Sequence, residues 1–424
     1  MSRLRAGRPM TSAPVTAASR ITFHALVMRP DDDDPEMIVV GRPELREFVE
    51  LPALYGEAIR LLGEGLPVTA AQERITADHM VELDVAELVD ALAELGFVAS
   101  VNGQELHDPA GDAPRNLFPW LVQRHVAWIF SRPVKLLWLA VVAGALVTLA
   151  TQPDLVPRYQ HFFWGHYIGL TVLVNTALFS VSMSMHELMH LAAARSLGAP
   201  ARISFGTRLH NLVVQTDVTA IWGVPRRRRY RVYLAGMAWD FLLIATLILL
   251  AGHVGMPATA KALLQALALT ALLSMPFQIQ VYMRTDLYYV LRDLLRCRNL
   301  FDDGLRYARY LLARVASPLR RPRGPVEDPT SDLPAHERRA TRVYTFFLVL
   351  GSSVTLGSFA LYGAPIAIGA LLRAIEGITS GLGGGSALTI VDSALFLLIE
   401  GGIQALFVVT FIRGHRHWFR RSPG

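Results

Sequence analysis

Two imidazoles and a carboxylate stand together in Ser184-Met185-His186-Glu187-Leu188-Met189-His190-Leu191. On a helix, His186 and His190 are four residues apart and share one face, where two imidazoles can hold one Zn2+. Glu187, the next residue along, can reach a water activated by such a metal and act as general base. The five-residue pattern alone says little, but its surroundings sharpen it. From Tyr167 to Ala194 almost every other residue is apolar or small. Three ionisable groups at membrane depth are costly, and by default they mark a functional site.

Two histidines do not complete a catalytic zinc site, which takes three protein ligands and keeps one position open. The chain has one cysteine, Cys297, so no intrachain disulfide forms and no cysteine zinc site is expected. Three aspartates are candidates. Asp217 ends a stretch from Asn211 that alternates like a strand at the membrane surface, where it could be solvated. Asp240 lies beside Trp239 in an apolar run, where a carboxylate needs a partner and could hold a ligating histidine in place. Asp286 follows another apolar run, and it or Thr285 could instead cap a helix reaching Leu295.

The elements that must position these groups are long and apolar. Of 424 residues, 52% are hydrophobic, and the mean hydropathy is +0.34. Segments long enough to span a bilayer are expected at Leu136–Ala150 with its flanks, Phe163–Met185 with the histidine helix, Val232–Leu250, Ala262–Val281, Val343–Leu361 (with an extension past Pro365 to Leu372) and Leu388–Ile412. Arginines cluster in alternate connections, as in Arg226-Arg227-Arg228-Arg229-Tyr230-Arg231. The segments near Gln152–Arg158, His253–Ala260 and Ala374–Ser386 read as nearly uncharged loops on the other side. By the positive-inside rule both termini are cytoplasmic, and His186 and His190 sit toward the cytoplasmic leaflet.

The formal charge of +6 conceals an asymmetry. From Asp31 to Ala110 there are 4 Arg and 19 Asp or Glu, a net −15, whereas the first 30 residues carry 5 Arg and the remainder carries +16. The basic part is thus the membrane part, consistent with topology and a lipid bilayer partner, and no nucleic-acid partner is expected. Residues 1–35 begin Arg- and Ser-rich and read as disordered. Strands are expected at Met37–Val40 and Arg46–Leu51. Helices are expected at Ala53–Leu62, from a Thr69 cap through Ile75, and from Asp84 to Leu95, with a closing strand at Phe97–Val101. Residues 107–132 read as a linker, 133–300 as the membrane core, 301–342 as a basic connector and 343–424 as a terminal membrane pair with a basic tail. The fold class expected is mainly α: a polytopic membrane protein of about six transmembrane helices with a small N-terminal α+β winged-helix domain.

Two resemblances extend this reading. Residues 36–106 resemble the PqqD-like winged-helix domains, through Phe48-Val49-Glu50-Leu51, Leu61-Leu62-Gly63-Glu64-Gly65, Asp84-Val85-Ala86-Glu87-Leu88 and Leu95-Gly96-Phe97. That resemblance implies recognition of the leader of a ribosomally made precursor peptide, added as a strand to the hairpin edge. His186 to Leu300 resembles the site-2-protease-type membrane zinc metallopeptidases, in the branch described as putative peptide zinc metalloproteases. The residues carrying it are His186-Glu187-Leu188-Met189-His190, Ala194-Arg195-Ser196-Leu197-Gly198, Thr216-Asp217-Val218, Ala235-Gly236, Pro276-Phe277 and Asp286-Leu287-Tyr288-Tyr289. The resemblance implies that Asp286 is the third zinc ligand, leaving Asp240 and Asp217 as supporting residues. It departs at Leu287 and Met237, where the family has Gly and Pro.

The function expected is hydrolysis of a peptide bond in a precursor peptide, for maturation or export, in a bacterial cytoplasmic membrane. Two alternatives fit the same residues. One is a catalytically weak tether that binds a modified peptide for export or immunity, favoured by Leu287. The other is a regulated intramembrane protease that cuts a transmembrane anchor.

Overall fold

A computed structural model describes residues 15–112, 118–165, 167–208, 211–316, 327–383 and 386–414. The chain divides into two compact units. The first is the N-terminal region to Val122 together with Leu197–Ala201 and Val218–Arg229; the second holds the remainder.

In the first unit, β1 (Ile21–Phe23) pairs with β5 (Val98–Val101), which pairs in turn with β6 (Gln104–Glu105). A second antiparallel sheet has the order β2 (Val27–Pro30), β3 (Met37–Arg42), β4 (Glu47–Pro52). Three helices pack on these sheets: α1 (Ala53–Gly63), α2 (Val68–His79) and α3 (Val85–Glu94). Their apolar faces, with Ile59, Leu62, Ile75, Leu88, Val89 and Leu92, close one core with Ile21, Val40 and Phe97.

Local chemistry explains the breaks between these elements. The Asp84 carboxylate accepts the Glu87 N–H and starts α3. Gly96 takes φ +71° and ends it. Thr69 is not a cap: Pro67 occupies that position on α2, and the Thr69 hydroxyl donates to the Ala17 carbonyl. The stretch to 35 is not disordered where it is described, since β1 and β2 lie within it; residues 1–14 lie outside the described residues. Short strands such as Ile-Thr-Phe carry little periodic signal and form here because β5 and β3 supply their hydrogen bonds.

The same unit includes the turn Thr219–Gly223 and the first residues of α7 (Arg226–Tyr233). Arg29 donates to the Trp222 carbonyl at 3.0 and 3.1 Å. Asp33 pairs with Arg226, and Asp32 with Arg229 at 3.3 Å. Acidic residues of the N-terminal strands therefore meet part of the basic run.

The second unit is helical. The described residues contain six helices long and apolar enough to cross a membrane. These are α5 (Arg132–Thr151), α6 (Ile168–Ser196), α8 (Ala235–His253), α9 (Ala258–Gln278), α12 (Ala335–Ser358, extended by a π-helical turn to Gly363) and α14 (Ala387–Gly414). The chain is thus an integral membrane protein of the expected fold class. α8 packs against α5, α6 and α9, and α14 against α6.

Three stretches carry more structure than expected. Residues 107–132 hold a 3-10 turn at Pro109–Asp112, the short helix α4 (Gln123–Val126) and another 3-10 turn at Ala127–Phe130. The connector 301–342 begins with α11 (Leu300–Ala316), which packs on α12. The uncharged stretch 374–386 is largely helix, since α13 (Ala364–Leu382) runs on before turning back against α14. Pro365 follows directly on the π-helical turn Phe359–Gly363, through which α12 runs into α13 without a break, and such a turn is where a helix accommodates the hydrogen bond a proline removes.

Candidate metal centre

α6 owes its helicity to an uninterrupted apolar run, and it ends just before Gly198, whose φ of +78° suits the residue after a helix terminus. His186, Glu187 and His190 lie in its last three turns and are all buried. One ligand atom from each lies within 4.8 Å of the others.

Asp286 joins them from a different element. Gln278 ends α9, and its side-chain Oε1 accepts the Asp286 N–H at 3.0 Å, while its carbonyl accepts the Thr285 hydroxyl at 2.7 Å. Between these residues the chain makes a 3-10 turn, Val281–Met283, and Arg284 adopts φ +57°. Asp286 then opens α10 (Asp286–Leu294). The left-handed residue is therefore Arg284, and Leu287 is an ordinary helical residue in the first turn. The freedom that a glycine would give at 287 is not used in this loop.

The result is a triangle. His186 Nε2, His190 Nε2 and Asp286 Oδ2 are each 3.1 Å from the other two. Neighbouring ligands of a tetrahedral zinc, at about 2.0–2.1 Å from the metal, stand about 3.3–3.4 Å apart, so the three vertices fit that ion with little movement. The tautomers support the fit. His186 Nδ1 is 2.8 Å from Asp240 Oδ2, and His190 Nδ1 is 2.7 Å from the Val232 carbonyl. Both partners only accept, so each Nδ1 carries the proton and each Nε2 presents a lone pair inward. With both imidazoles in this tautomer, two lone pairs and a carboxylate oxygen face one another, an arrangement that could hold a metal ion. A proton on one Nε2 relieves part of this repulsion, whereas a metal ion satisfies all three atoms.

Gly236, in the first turn of α8, shapes the same space. A Cβ at this position would stand 2.3 Å from His186 Nε2 and 2.5 Å from His190 Nε2. No side chain fits there while both imidazoles hold their places. The His186 side chain is 2% exposed and that of Asp286 21% exposed, so the Asp286 edge is the open side of the triangle.

The remaining candidates separate clearly. Asp240 is buried and serves His186. Asp217 ends β8 (Asn211–Asp217), in register with Arg202 of β7 (Arg202–Arg208), and is not a vertex of the triangle. Its neighbour Thr216 is the residue that reaches the site, donating to Glu187 Oε2 at 2.6 Å. Thr216 and Gln278 carry no ionisable group and lie outside the His-Glu-x-x-His pattern, so nothing in the sequence singles out their roles. Cys297 is not one of the converging groups: it is buried in a cluster with Tyr288, Leu300, Tyr344 and Leu348, and burial pushes its thiol up to about 12. Comparison with known protein families, with curated proteins and with solved structures finds no match.

Proposed function

We propose that this protein is a membrane-embedded zinc metallopeptidase of the site-2-protease type. The observation that carries the reading is the triangle of His186, His190 and Asp286, with Glu187 on the same helix face and a buried partner behind each imidazole. A zinc ion there would supply Lewis-acid polarisation of a peptide carbonyl and acidification of the attacking water.

The chain's own residues do the rest. Asp240 and the Val232 carbonyl hold the imidazoles in the ligating tautomer. Glu187 takes the proton from the attacking water and returns it to the leaving amine. The apolar walls of α6, α8 and α9 limit bulk water. The shape of the Arg284–Leu287 loop, which uses no glycine freedom at 287, weighs against a catalytically weak tether.

The first unit supports a peptide as the substrate class. In its second sheet β4 is an edge strand, since its one partner is β3. An extended leader peptide could add there by backbone hydrogen bonds. Because docking domain and site are one chain, such binding raises the effective concentration of the precursor at the metal. The arginine distribution supports a reading in which the termini and the site face the cytoplasm, the membrane in this proposal being bacterial.

The test is a comparison of new peptide N-termini in membranes of cells expressing the wild type or Glu187→Gln. Peptides cut only by the wild type support the proposal. Identical N-terminal sets, with both proteins present at equal level, would refute it.

A further inference from the structure

The short contact between β8 and α6 has a consequence for the general base. Thr216 Oγ1 lies 2.6 Å from Glu187 Oε2 and 3.0 Å from the Glu187 carbonyl. A hydroxyl has one proton, and the shorter approach to the charged acceptor takes it. Among the described residues the other carboxylate oxygen, Oε1, has no hydrogen bond. Glu187 has three rotatable side-chain bonds, and on a helix several rotamers are open to it. Thr216 selects one of them.

The placement also has a structural cause. β8 pairs with β7 along its length, with Thr216 opposite Ile203. The strand is therefore held by its ladder, and the hydroxyl arrives from a fixed backbone rather than from a loose loop.

We propose that Thr216 is a positioning residue: it holds the Glu187 carboxylate by one oxygen so that the other faces the reacting water. This rests on the hydrolytic reading of the site. Threonine suits the task because its branched side chain favours a strand and few rotamers, while its hydroxyl supplies the donor. Valine at 216 keeps shape and strand preference but removes the proton, and serine keeps the proton.

The experiment uses the full chain in detergent or nanodiscs, with the fluorogenic peptide that the wild type cleaves fastest from a random library. Thr216→Val is expected to keep its metal and lower kcat about 10–100-fold, with KM changed less than about 2-fold. Thr216→Ser should restore kcat to within about 3-fold of the wild type. In a Glu187→Gln background, Thr216→Val should produce no further loss.

A readout independent of turnover is the melting temperature of chelator-treated protein. Thr216→Val should lower it by about 2–4 °C when Glu187 is present, and by less when residue 187 is alanine. Full kcat in Thr216→Val, serine no better than valine, or loss of metal from Thr216→Val would each overturn the positioning role. A wild type that holds metal but cleaves nothing would defeat the hydrolytic reading, and the positioning role with it.

Discussion

The two units use polar groups in opposite ways. In the N-terminal unit the core is apolar, and the acidic residues that give the region its charge lie mainly outside it. Two arginines are buried as well: Arg229, which pairs with Asp32, and Arg42, which donates to the Gly96 carbonyl at 2.7 Å while pairing with Asp108 at 2.8 Å. The Arg42 charge joins β3 to the end of α3 and to the segment beyond β6, and it also pairs with Glu44 at 3.3 Å. In the membrane unit one set of buried ionisable groups converges instead, apart from buried structural partners such as Asp293, which pairs with Arg292 at 3.1 Å. His186, Glu187, His190 and Asp240 all lie within apolar helices, and the atoms aimed at the centre are lone pairs. A structural ion pair arranges donors against acceptors, whereas this centre arranges acceptors against one another. The contrast is what makes the second site the candidate metal centre.

The largest expected effect comes from filling the space between the imidazoles. Gly236→Ala should lower metal affinity at least about 100-fold, because a Cβ cannot coexist with both Nε2 atoms where they stand. Isothermal titration of chelator-stripped protein with zinc would show it, and undiminished affinity would mean that the imidazoles have another arrangement.

Next is Asp240→Asn. An amide can still accept from His186 Nδ1–H, but it loses the charge that makes the ring a better ligand. Affinity should fall about 10–100-fold. An unchanged affinity would assign Asp240 to packing alone.

Arg42→Ala sharpens the comparison from the other side. It should weaken protection of β5 and α3 amides against hydrogen exchange by about 1–3 kcal/mol while leaving metal affinity untouched. Altered metal binding would contradict the assignment of Arg42 to structure.

The smallest effect is expected at Asp217, where Asn should change metal affinity less than about 2-fold. Cys297 gives a control on burial. With its thiol pushed up to about 12, it remains a thiol at pH 8 and should react with maleimide far more slowly in folded than in unfolded protein.

Much of this architecture is legible in the residues. The six apolar runs announce the spans, and the spacing of Val85, Leu88, Val89 and Leu92 announces α3. His186 and His190 share a face wherever a helix forms there. Asp286 is different. Spacing alone leaves it equal to Asp217 and Asp240, and the resemblance, not periodicity, selects it. What remains hidden depends on packing at a distance. Thr216 is an unremarkable strand residue until β8 lies against α6. Gln278 is one polar residue at a span's end until it receives the Asp286 N–H. β1 and β2 are too short to show a period, and α11 and α13 are obscured by basic and glycine-containing sequence around them.

The most direct test of the centre is zinc per chain in purified full-length protein, measured for the wild type, His190→Ala, Asp286→Asn and Asp217→Asn. About one zinc is expected in the wild type and in Asp217→Asn, with little or none in the other two. A wild type without zinc after supplementation, or an Asp286→Asn variant that keeps its zinc as firmly as Asp217→Asn, would contradict the three-residue centre.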